Sequence, residues 1–130
     1  SSGQIFNILV VEDNKINQQV AVELLEKQGL IVEIAKNGKK AVEKATKDAF
    51  DLILMDIEMP YMNGFEATEA IRQLEAHSSI PIIAMTASMV SDNKDLYTKA
   101  GMNDSVSKPI TPEALYRVLL DQLHSSKTHI

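Results

Sequence analysis

The chain has no cysteine, no long apolar run and no excess of positive charge. Without cysteine in its 130 residues, neither disulfides nor thiolate metal sites can form, which fits a reducing cytoplasm. No apolar stretch approaches the roughly 20 residues that a membrane helix needs, and no signal peptide is visible. The net charge of −5 argues against a surface that binds duplex nucleic acid. We therefore expect a cytoplasmic domain that contacts neither membrane nor nucleic acid.

The remaining composition is that of an ordinary globular domain, with 45% hydrophobic and 24% charged residues. This length suffices for one domain with a buried core, which we predict over residues 4–124. Residues 1–3 read as a cloning remnant, and residues 125–130 as a flexible tail or the start of a linker. We expect all three histidines to be solvated, because they share no metal-like spacing: His77, His124 and His129.

Short apolar runs alternate with segments of helical periodicity along the whole chain. The runs predict strands at Ile8–Val11, Ile31–Ala35, Leu52–Met55, Ile82–Met85 and, from its position more than its composition, Ser105–Ser107. A first helix should open near the capping residue Asn14, and a fourth should cover residues 91–100. The predicted inner faces are Ile16, Val20, Ala21 and Leu24; Ala41, Val42, Ala45 and Ala49; Ala67, Ile71 and Leu74; and Leu115, Val118, Leu119 and Leu123.

Five alternations of strand and helix predict an α/β fold with a parallel sheet covered on both faces. Right-handed crossovers then favour a doubly wound sheet. We predict a flavodoxin-like, five-stranded sheet in the order 2-1-3-4-5, with helices on both faces. In this order strands one, three, four and five are consecutive neighbours, and ligands bind at the carboxyl ends of such strands.

Polar side chains follow these same four strands. Glu12 and Asp13 follow the first, Asp56 the third, Thr86 the fourth and Lys108 the fifth. Each residue alone has an ordinary explanation as a solvated loop residue or a cap, but their alignment at neighbouring strand ends favours a site. Converging carboxylates repel one another and favour a divalent cation. A hydroxyl and an ammonium group beside them make a site suited to a phosphoryl group.

With these residues in place, the chain resembles a receiver domain of the response-regulator family, the phospho-accepting half of two-component signalling. The resemblance extends over about Asn7–Leu123. Its motifs are Glu12-Asp13, Asp56 followed by Met59-Pro60 and Gly64, Thr86-Ala87, and Lys108-Pro109. The stretches Val11–Asn14, Met55–Pro60 and Gly101–Asp104 are most similar to receivers attached to hybrid sensor histidine kinases.

The resemblance implies a role for each of these residues. Asp56 would be the phosphoacceptor, whose carboxylate attacks a phosphohistidine. Thr86 would bond a phosphoryl oxygen, and Lys108 would pair with the acyl phosphate. The Lys108–Pro109 peptide bond would be cis, an isomer that proline tolerates.

A metal site is implied in the same way. Asp13 would hold Mg²⁺ directly and Glu12 often through water, with Asp56 and the backbone carbonyl of Glu58 as further ligands. Mg²⁺ takes few carboxylates and completes its octahedron with water and substrate oxygens. The cofactor expected from the resemblance is therefore Mg²⁺.

The resemblance also implies the partners. A histidine kinase, a histidine phosphotransfer domain or both would exchange phosphate with the domain, which would be monomeric. The isolated domain would not be an enzyme but a self-phosphorylating acceptor, compatible with a place in a hybrid histidine kinase chain.

The sequence departs from the usual receiver pattern at one position and carries tuning residues at two others. Receivers usually have an aromatic residue three positions before the lysine, where this chain has Ser105. The family's coupling between the Thr86 hydroxyl and a rotating ring cannot operate as such. Glu58 and Ser88 stand at positions that tune hydrolysis of the acyl phosphate in this family.

Three other functions compete with the receiver. A Mg²⁺-dependent phosphatase with an aspartyl nucleophile is suggested by Asp56-Ile57-Glu58, although the second acid of that motif is normally Asp. A flavin-binding domain is disfavoured because Glu12-Asp13-Asn14 would repel a flavin phosphate. A degenerate receiver that only scaffolds partners would normally have lost its acidic and lysine positions, which are intact here.

The serine at position 105 generates a prediction about signalling. A receiver that drives an output domain needs a bistable element biased by phosphate, and Ser105 has no ring to bury. We expect phosphorylation to change the face formed by the fourth helix, fifth strand and fifth helix only modestly, unless Tyr97 substitutes for the missing ring. Amide chemical shifts with and without beryllofluoride measure this. Shifts as large across Tyr97–Tyr116 as around Asp56 would contradict it.

Overall fold

The computed structural model describes residues 5–59, 62–87 and 94–124, with the backbone alone at Lys94 and His124. Strands and helices alternate along the chain. A 3-10 turn at Glu75–His77 follows the third helix, and a π-helical turn at Leu120–His124 continues the last. The main elements are β1 Asn7–Val11, α1 Lys15–Lys27, β2 Ile31–Ala35, α2 Gly38–Lys47, β3 Leu52–Asp56, α3 Gly64–Arg72, β4 Ile82–Thr86, α4 Lys94–Ala100, β5 Asp104–Ser107 and α5 Pro112–Leu119.

The five strands form one parallel sheet in the order β2-β1-β3-β4-β5, which confirms the predicted fold class. Its register aligns Val11 with Met55, and Thr86 with Ser107. The residues that follow β1, β3, β4 and β5 therefore emerge along one edge of the sheet.

Both faces of the sheet are buried, and each carries its own core. On one face the strands pack against α2, α3 and α4, which contribute Ala41, Ala45, Ala67, Ile71 and Tyr97. On the other they pack against α1 and α5, which contribute Ala21, Leu25, Leu115 and Val118. Because β3 and β4 lie between two helical layers, all of their residues are buried.

Side-chain caps define where the helices begin. The side chains of Asn14, Asn37 and Thr111 each accept a backbone amide of the helix that follows them. Asn63 and Glu66 form a reciprocal capping box at the start of α3. Asn14 was the predicted cap of α1, whereas no cap was predicted for α2, which Asn37 caps.

The prediction of the inner face of α1 was wrong in part. Ala21 and Leu25 are fully buried, whereas Ile16 is 70% exposed and Val20 is 38% exposed. Two apolar stripes run along this helix, one residue apart. Ala21 and Leu25 lie in the stripe that faces the sheet, and of the other stripe only Leu24 packs against the core. Three other predicted inner residues lie beyond their helices. Ala49 is exposed after the end of α2, Leu74 packs against the core after the end of α3, and Leu123 is buried in the turn after α5. Residues 91–93 of the predicted fourth helix lie outside the described residues.

At the amino-terminal edge of the sheet, Arg72 links the segments before β4 and before β5. The sequence did not predict these contacts. The Arg72 guanidinium donates to the backbone carbonyls of His77 at 2.9 Å, Ile80 at 2.6 Å and Gly101 at 2.9 Å, and to Asn103 Oδ1 at 2.9 Å. One side chain thus satisfies backbone acceptors from segments that are far apart in sequence. None of the described helices is long and apolar enough to cross a membrane.

The expectation that His77 is solvated was wrong. Its side chain is fully buried, and its Nε2 accepts the Phe50 N–H at 3.1 Å. Its Nδ1 has no hydrogen-bond partner in the described part of the chain. Burial, together with the nearby Arg72 cation, lowers the His77 pKa from its ordinary 6.5. His77 is therefore held neutral, with the proton on Nδ1. The side chains of His124 and His129 lie outside the described residues.

Acid should destabilise the domain through His77. The unfolded chain binds a proton below about pH 6.5, whereas the folded state resists it, so stability is present above that pH and is lost as the pH falls below it. His77→Gln keeps an acceptor for the Phe50 N–H but cannot titrate. The stability of the parent relative to this variant should fall below pH 6.5 by at most about 1.4 kcal/mol per pH unit. Chemical denaturation at several pH values tests this, and parallel pH profiles would contradict it.

Candidate functional site

The carboxyl edge of the sheet brings together the strand-end residues that the sequence singled out. The backbone ladder continues past the strands: Glu12 N–H donates to the Ala35 carbonyl at 3.0 Å, and Lys108 N–H donates to the Thr86 carbonyl at 2.8 Å. Ile57 N–H, directly after Asp56, donates to the Met85 carbonyl at 3.1 Å. These bonds extend the hydrogen bonding of the sheet to the functional positions.

Three carboxylates converge at this edge. Ligand oxygens of Glu12, Asp13 and Asp56 all lie within 4.8 Å of one another. Glu12 and Asp56 are buried, whereas Asp13 is exposed. Glu12 Oε1 and Asp56 Oδ2 are buried and have no hydrogen-bond partner among the described residues. Buried carboxylate oxygens that lack donors fit a hard divalent cation, which takes oxygen ligands.

Lys108 partly neutralises the buried pair. Its Nζ lies 2.9 Å from Asp56 Oδ1 and 3.5 Å from Glu12 Oε1. Asp56 Oδ1 also accepts the backbone N–H of Glu58 at 3.0 Å. One oxygen of Asp56 is therefore engaged by two donors, while the other is left for a ligand. The Lys108–Pro109 peptide bond is cis, as the resemblance implied.

The electrostatics of the site shift two pKa values. Burial, reinforced by the neighbouring Asp56 charge, raises the pKa of Glu12 to about 7, although the Asn14 N–H and Lys108 oppose the shift. Burial alone would lower the pKa of Lys108, but its hydrogen bond to Asp56 and the charges of Asp56 and Glu12 outweigh this and raise it. Glu12 thus takes up a proton near neutral pH, while Lys108 stays charged.

The two loops that carry the carboxylates are tightly held. Asn14 N–H donates to Glu12 Oε2 at 3.1 Å, and Gln18 Nε2 donates to the Glu12 carbonyl at 2.6 Å. At the other loop, a Cβ on Gly64 would lie 2.4 Å from the Asp56 carbonyl oxygen. Only glycine therefore fits where α3 begins against the Asp56 backbone. The sequence motif included Gly64, whereas the contribution of Gln18 was missed.

The remaining sequence-predicted positions are dispersed around this centre. Thr86 is buried at the end of β4, and the side chain of Glu58 is exposed. Ser105 is half-buried and pairs with Ala84 across the sheet. Tyr97 is 8% exposed and stacks on Phe65 of α3, with ring centroids 5.7 Å apart. Ser88 lies outside the described residues.

This fold and this edge agree with one protein family. Residues 8–120 match the response regulator receiver domain. The chain belongs to this family, the receivers of two-component signalling.

One relative of this chain is a hybrid histidine kinase. Over 123 residues the chain is 44% identical to hybrid signal transduction histidine kinase I of Dictyostelium discoideum, covering 89% of this chain but 7% of that protein. The chain therefore spans a small part of that relative.

Solved structures show the same fold with ligand and partner. The receiver domain of sensor histidine kinase PA1611 from Pseudomonas aeruginosa PAO1, with a magnesium ion coordinated in its active-site cleft, is 36% identical at a TM-score of 0.85 and covers 93% of this chain and 99% of that one. The receiver domain of Ssk1, in complex with the histidine phosphotransfer protein Ypd1 of Saccharomyces cerevisiae, is 31% identical at a TM-score of 0.85, covering 93% and 90%.

The raised pKa of Glu12 makes cation binding depend on pH. A divalent cation at the three carboxylates must displace the proton that Glu12 carries below about pH 7. Mg²⁺ affinity should therefore fall as the pH is lowered from 8 to 6, approaching about tenfold per pH unit where one proton is displaced. Calorimetric titration with MgCl₂ measures this dependence. Glu12→Gln should flatten it, and an equally steep profile in that variant would show that another group carries the proton.

Proposed function

We propose that this receiver accepts a phosphoryl group from a phosphohistidine onto Asp56 and relays it onward in a Mg²⁺-dependent reaction. The proposal rests on the different surroundings of the two carboxylate oxygens of Asp56. Oδ1 is held by Lys108 and the Glu58 N–H, while the buried Oδ2 lacks a hydrogen-bond partner among the described residues. The carboxylate is therefore oriented, and one oxygen is left to react.

In this proposal Asp56 is the nucleophile. A new bond forms between its oxygen and phosphorus as the phosphorus–nitrogen bond of the phosphohistidine breaks. Phosphoryl transfer asks the protein mainly for in-line positioning and for neutralisation of the equatorial oxygens. The Asp56 side chain is fixed from both sides, by Lys108 and by its own loop, so little motion remains to be frozen in the transition state.

The other residues would stabilise the negative charge of the phosphoryl group or hold the cation that does so. Lys108, already 2.9 Å from Asp56, would remain beside the acyl phosphate and pair with it. Thr86, buried at the adjacent strand end, would donate its hydroxyl to a phosphoryl oxygen. Glu12, Asp13, Asp56 and the Glu58 carbonyl would hold Mg²⁺. Bound there, Mg²⁺ supplies positive charge that offsets the repulsion between the carboxylates and the incoming phosphoryl oxygens.

The exposure of Glu58 disfavours a phosphatase acting on a small substrate. In that class a second acid, normally Asp, follows the nucleophile by two residues, whereas the side chain of Glu58 is exposed. A purely scaffolding role is disfavoured, because the acidic residues and Lys108 are present and in contact.

We further propose the domain's biological setting. Because a relative of this fold is known in complex with a histidine phosphotransfer protein, the partner of this chain would be such a domain, a histidine kinase or both. The receiver would comprise residues 4–124, act in the cytoplasm as a monomer, and serve as an acceptor within a hybrid histidine kinase system.

The proposal predicts that Asp56 is the sole phosphoacceptor. Incubation with acetyl phosphate and Mg²⁺, followed by peptide mass spectrometry, should place the modification on Asp56. Asp56→Asn should reduce labelling to background, because the amide is a poor nucleophile. Asp121→Asn, which changes an exposed aspartate in the π-helical turn after α5, is the matched control and should label like the parent. Labelling of Asp56→Asn at the parent's level would remove Asp56 from this role.

A further inference from the structure

Three hydrogen bonds hold Glu12 in the segment that joins β1 to α1. Its N–H donates to the Ala35 carbonyl at 3.0 Å, and its Oε2 accepts the Asn14 N–H at 3.1 Å. Its backbone carbonyl accepts Gln18 Nε2 at 2.6 Å, the shortest of the three bonds. Two of these bonds come from backbone amides, which any sequence would supply. The third comes from one side chain.

Gln18 is well placed to reach back to this carbonyl. Its own N–H makes the first helical bond of α1, to the Asn14 carbonyl at 2.9 Å. Long side chains near the start of a helix lean toward its amino terminus, which points Gln18 at the loop rather than along the helix. Because a carbonyl can only accept, the amide nitrogen of Gln18 is the atom that faces it. Half-burial of Gln18 shields the bond from water.

The bond matters most for the next residue, Asp13. The Glu12 carbonyl and the Asp13 N–H belong to the same planar peptide, so a bond that fixes the carbonyl also fixes the direction in which Asp13 leaves the loop. Asp13 is exposed, and no hydrogen bond to its carboxylate is found in the described part of the chain. Repulsion from Glu12 and Asp56, whose oxygens lie within 4.8 Å, would displace a carboxylate that nothing restrains. The orientation of the Glu12–Asp13 peptide is therefore a restraint on where this carboxylate lies.

We propose that Gln18 is a positioning residue, which orients Asp13 toward the cation by fixing the Glu12–Asp13 peptide plane. This inference rests on the proposed function, because it assigns a support to the same metal site. When a group that orients a metal ligand without touching the metal is removed, metal affinity typically changes by about tenfold or more. Gln18 would act on Mg²⁺ affinity without touching the ion.

The test compares two glutamines that are neighbours on one helix. Gln18→Met keeps the length and helix propensity of the side chain but removes the donor. Gln19→Met makes the same change at an exposed position and is the control. In calorimetric titration with MgCl₂, Gln18→Met should bind about tenfold more weakly, while Gln19→Met should match the parent. The Asp13 amide chemical shift of the metal-free protein should move in Gln18→Met alone.

A double-mutant cycle separates positioning from a general loss of stability. If Gln18 acts through Asp13, Gln18→Met should have almost no further effect on Mg²⁺ affinity in an Asp13→Ala background. An effect of the same size in both backgrounds would overturn the inference. So would a Gln18→Met protein that binds Mg²⁺ within twofold of the parent.

The failure of this inference differs from that of the proposed function. If the parent neither binds Mg²⁺ nor labels at Asp56, the proposed function is wrong and the inference falls with it. If the parent does both and Gln18→Met behaves like Gln19→Met, only the inference is wrong.

Discussion

Repulsion among the carboxylates of Glu12, Asp13 and Asp56 is the constraint that the rest of this domain has to withstand. Three like charges within 4.8 Å would separate on any flexible scaffold. Here they lie at the carboxyl ends of strands of a parallel sheet: Asp56 is the last residue of β3, and Glu12 and Asp13 follow β1. The central strands of this sheet are buried on both faces, and its hydrogen bonds continue past the strand ends. The two cores oppose this repulsion by making any displacement of the strands costly.

The same constraint explains the chemistry of the site. Burial raises the Glu12 pKa to about 7, so the metal-free site stores a proton near neutrality and can exchange it for a cation. Lys108 contacts two of the three carboxylates but cannot satisfy all their oxygens. In the proposed function, this site would bind a divalent cation and then a phosphoryl group, and the cation would offset the repulsion between the carboxylates and the phosphoryl oxygens.

The site is also joined to the helical layer on one face. α3 begins at Gly64, which is packed too closely on the Asp56 carbonyl to allow any side chain. The next residue, Phe65, stacks on Tyr97 of α4, and Arg72 at the end of α3 bonds the Gly101 carbonyl after α4. Both ends of α3 are therefore in contact with α4 or with the residue that follows it. In a chain with Ser105 in place of the usual aromatic residue, these contacts connect the Asp56 loop to α4.

The sequence by itself determined the strands, their order in the sheet, the helix cap at Asn14 and the carboxyl-edge position of Glu12, Asp13, Asp56, Thr86 and Lys108. All of these follow from local periodicity, from the handedness of crossovers and from the chemistry of strand ends, which need no knowledge of long-range contacts. Only the tertiary structure decided which apolar stripe of α1 faces the sheet, because Ile16 and Val20 are as apolar as the residues that are buried. It alone buried His77 against the Phe50 N–H, joined Arg72 to Gly101 and Asn103, and directed Gln18 to the Glu12 carbonyl. Each of these contacts forms between a polar side chain and one particular group of the folded chain. Hydrophobic periodicity does not predict such contacts.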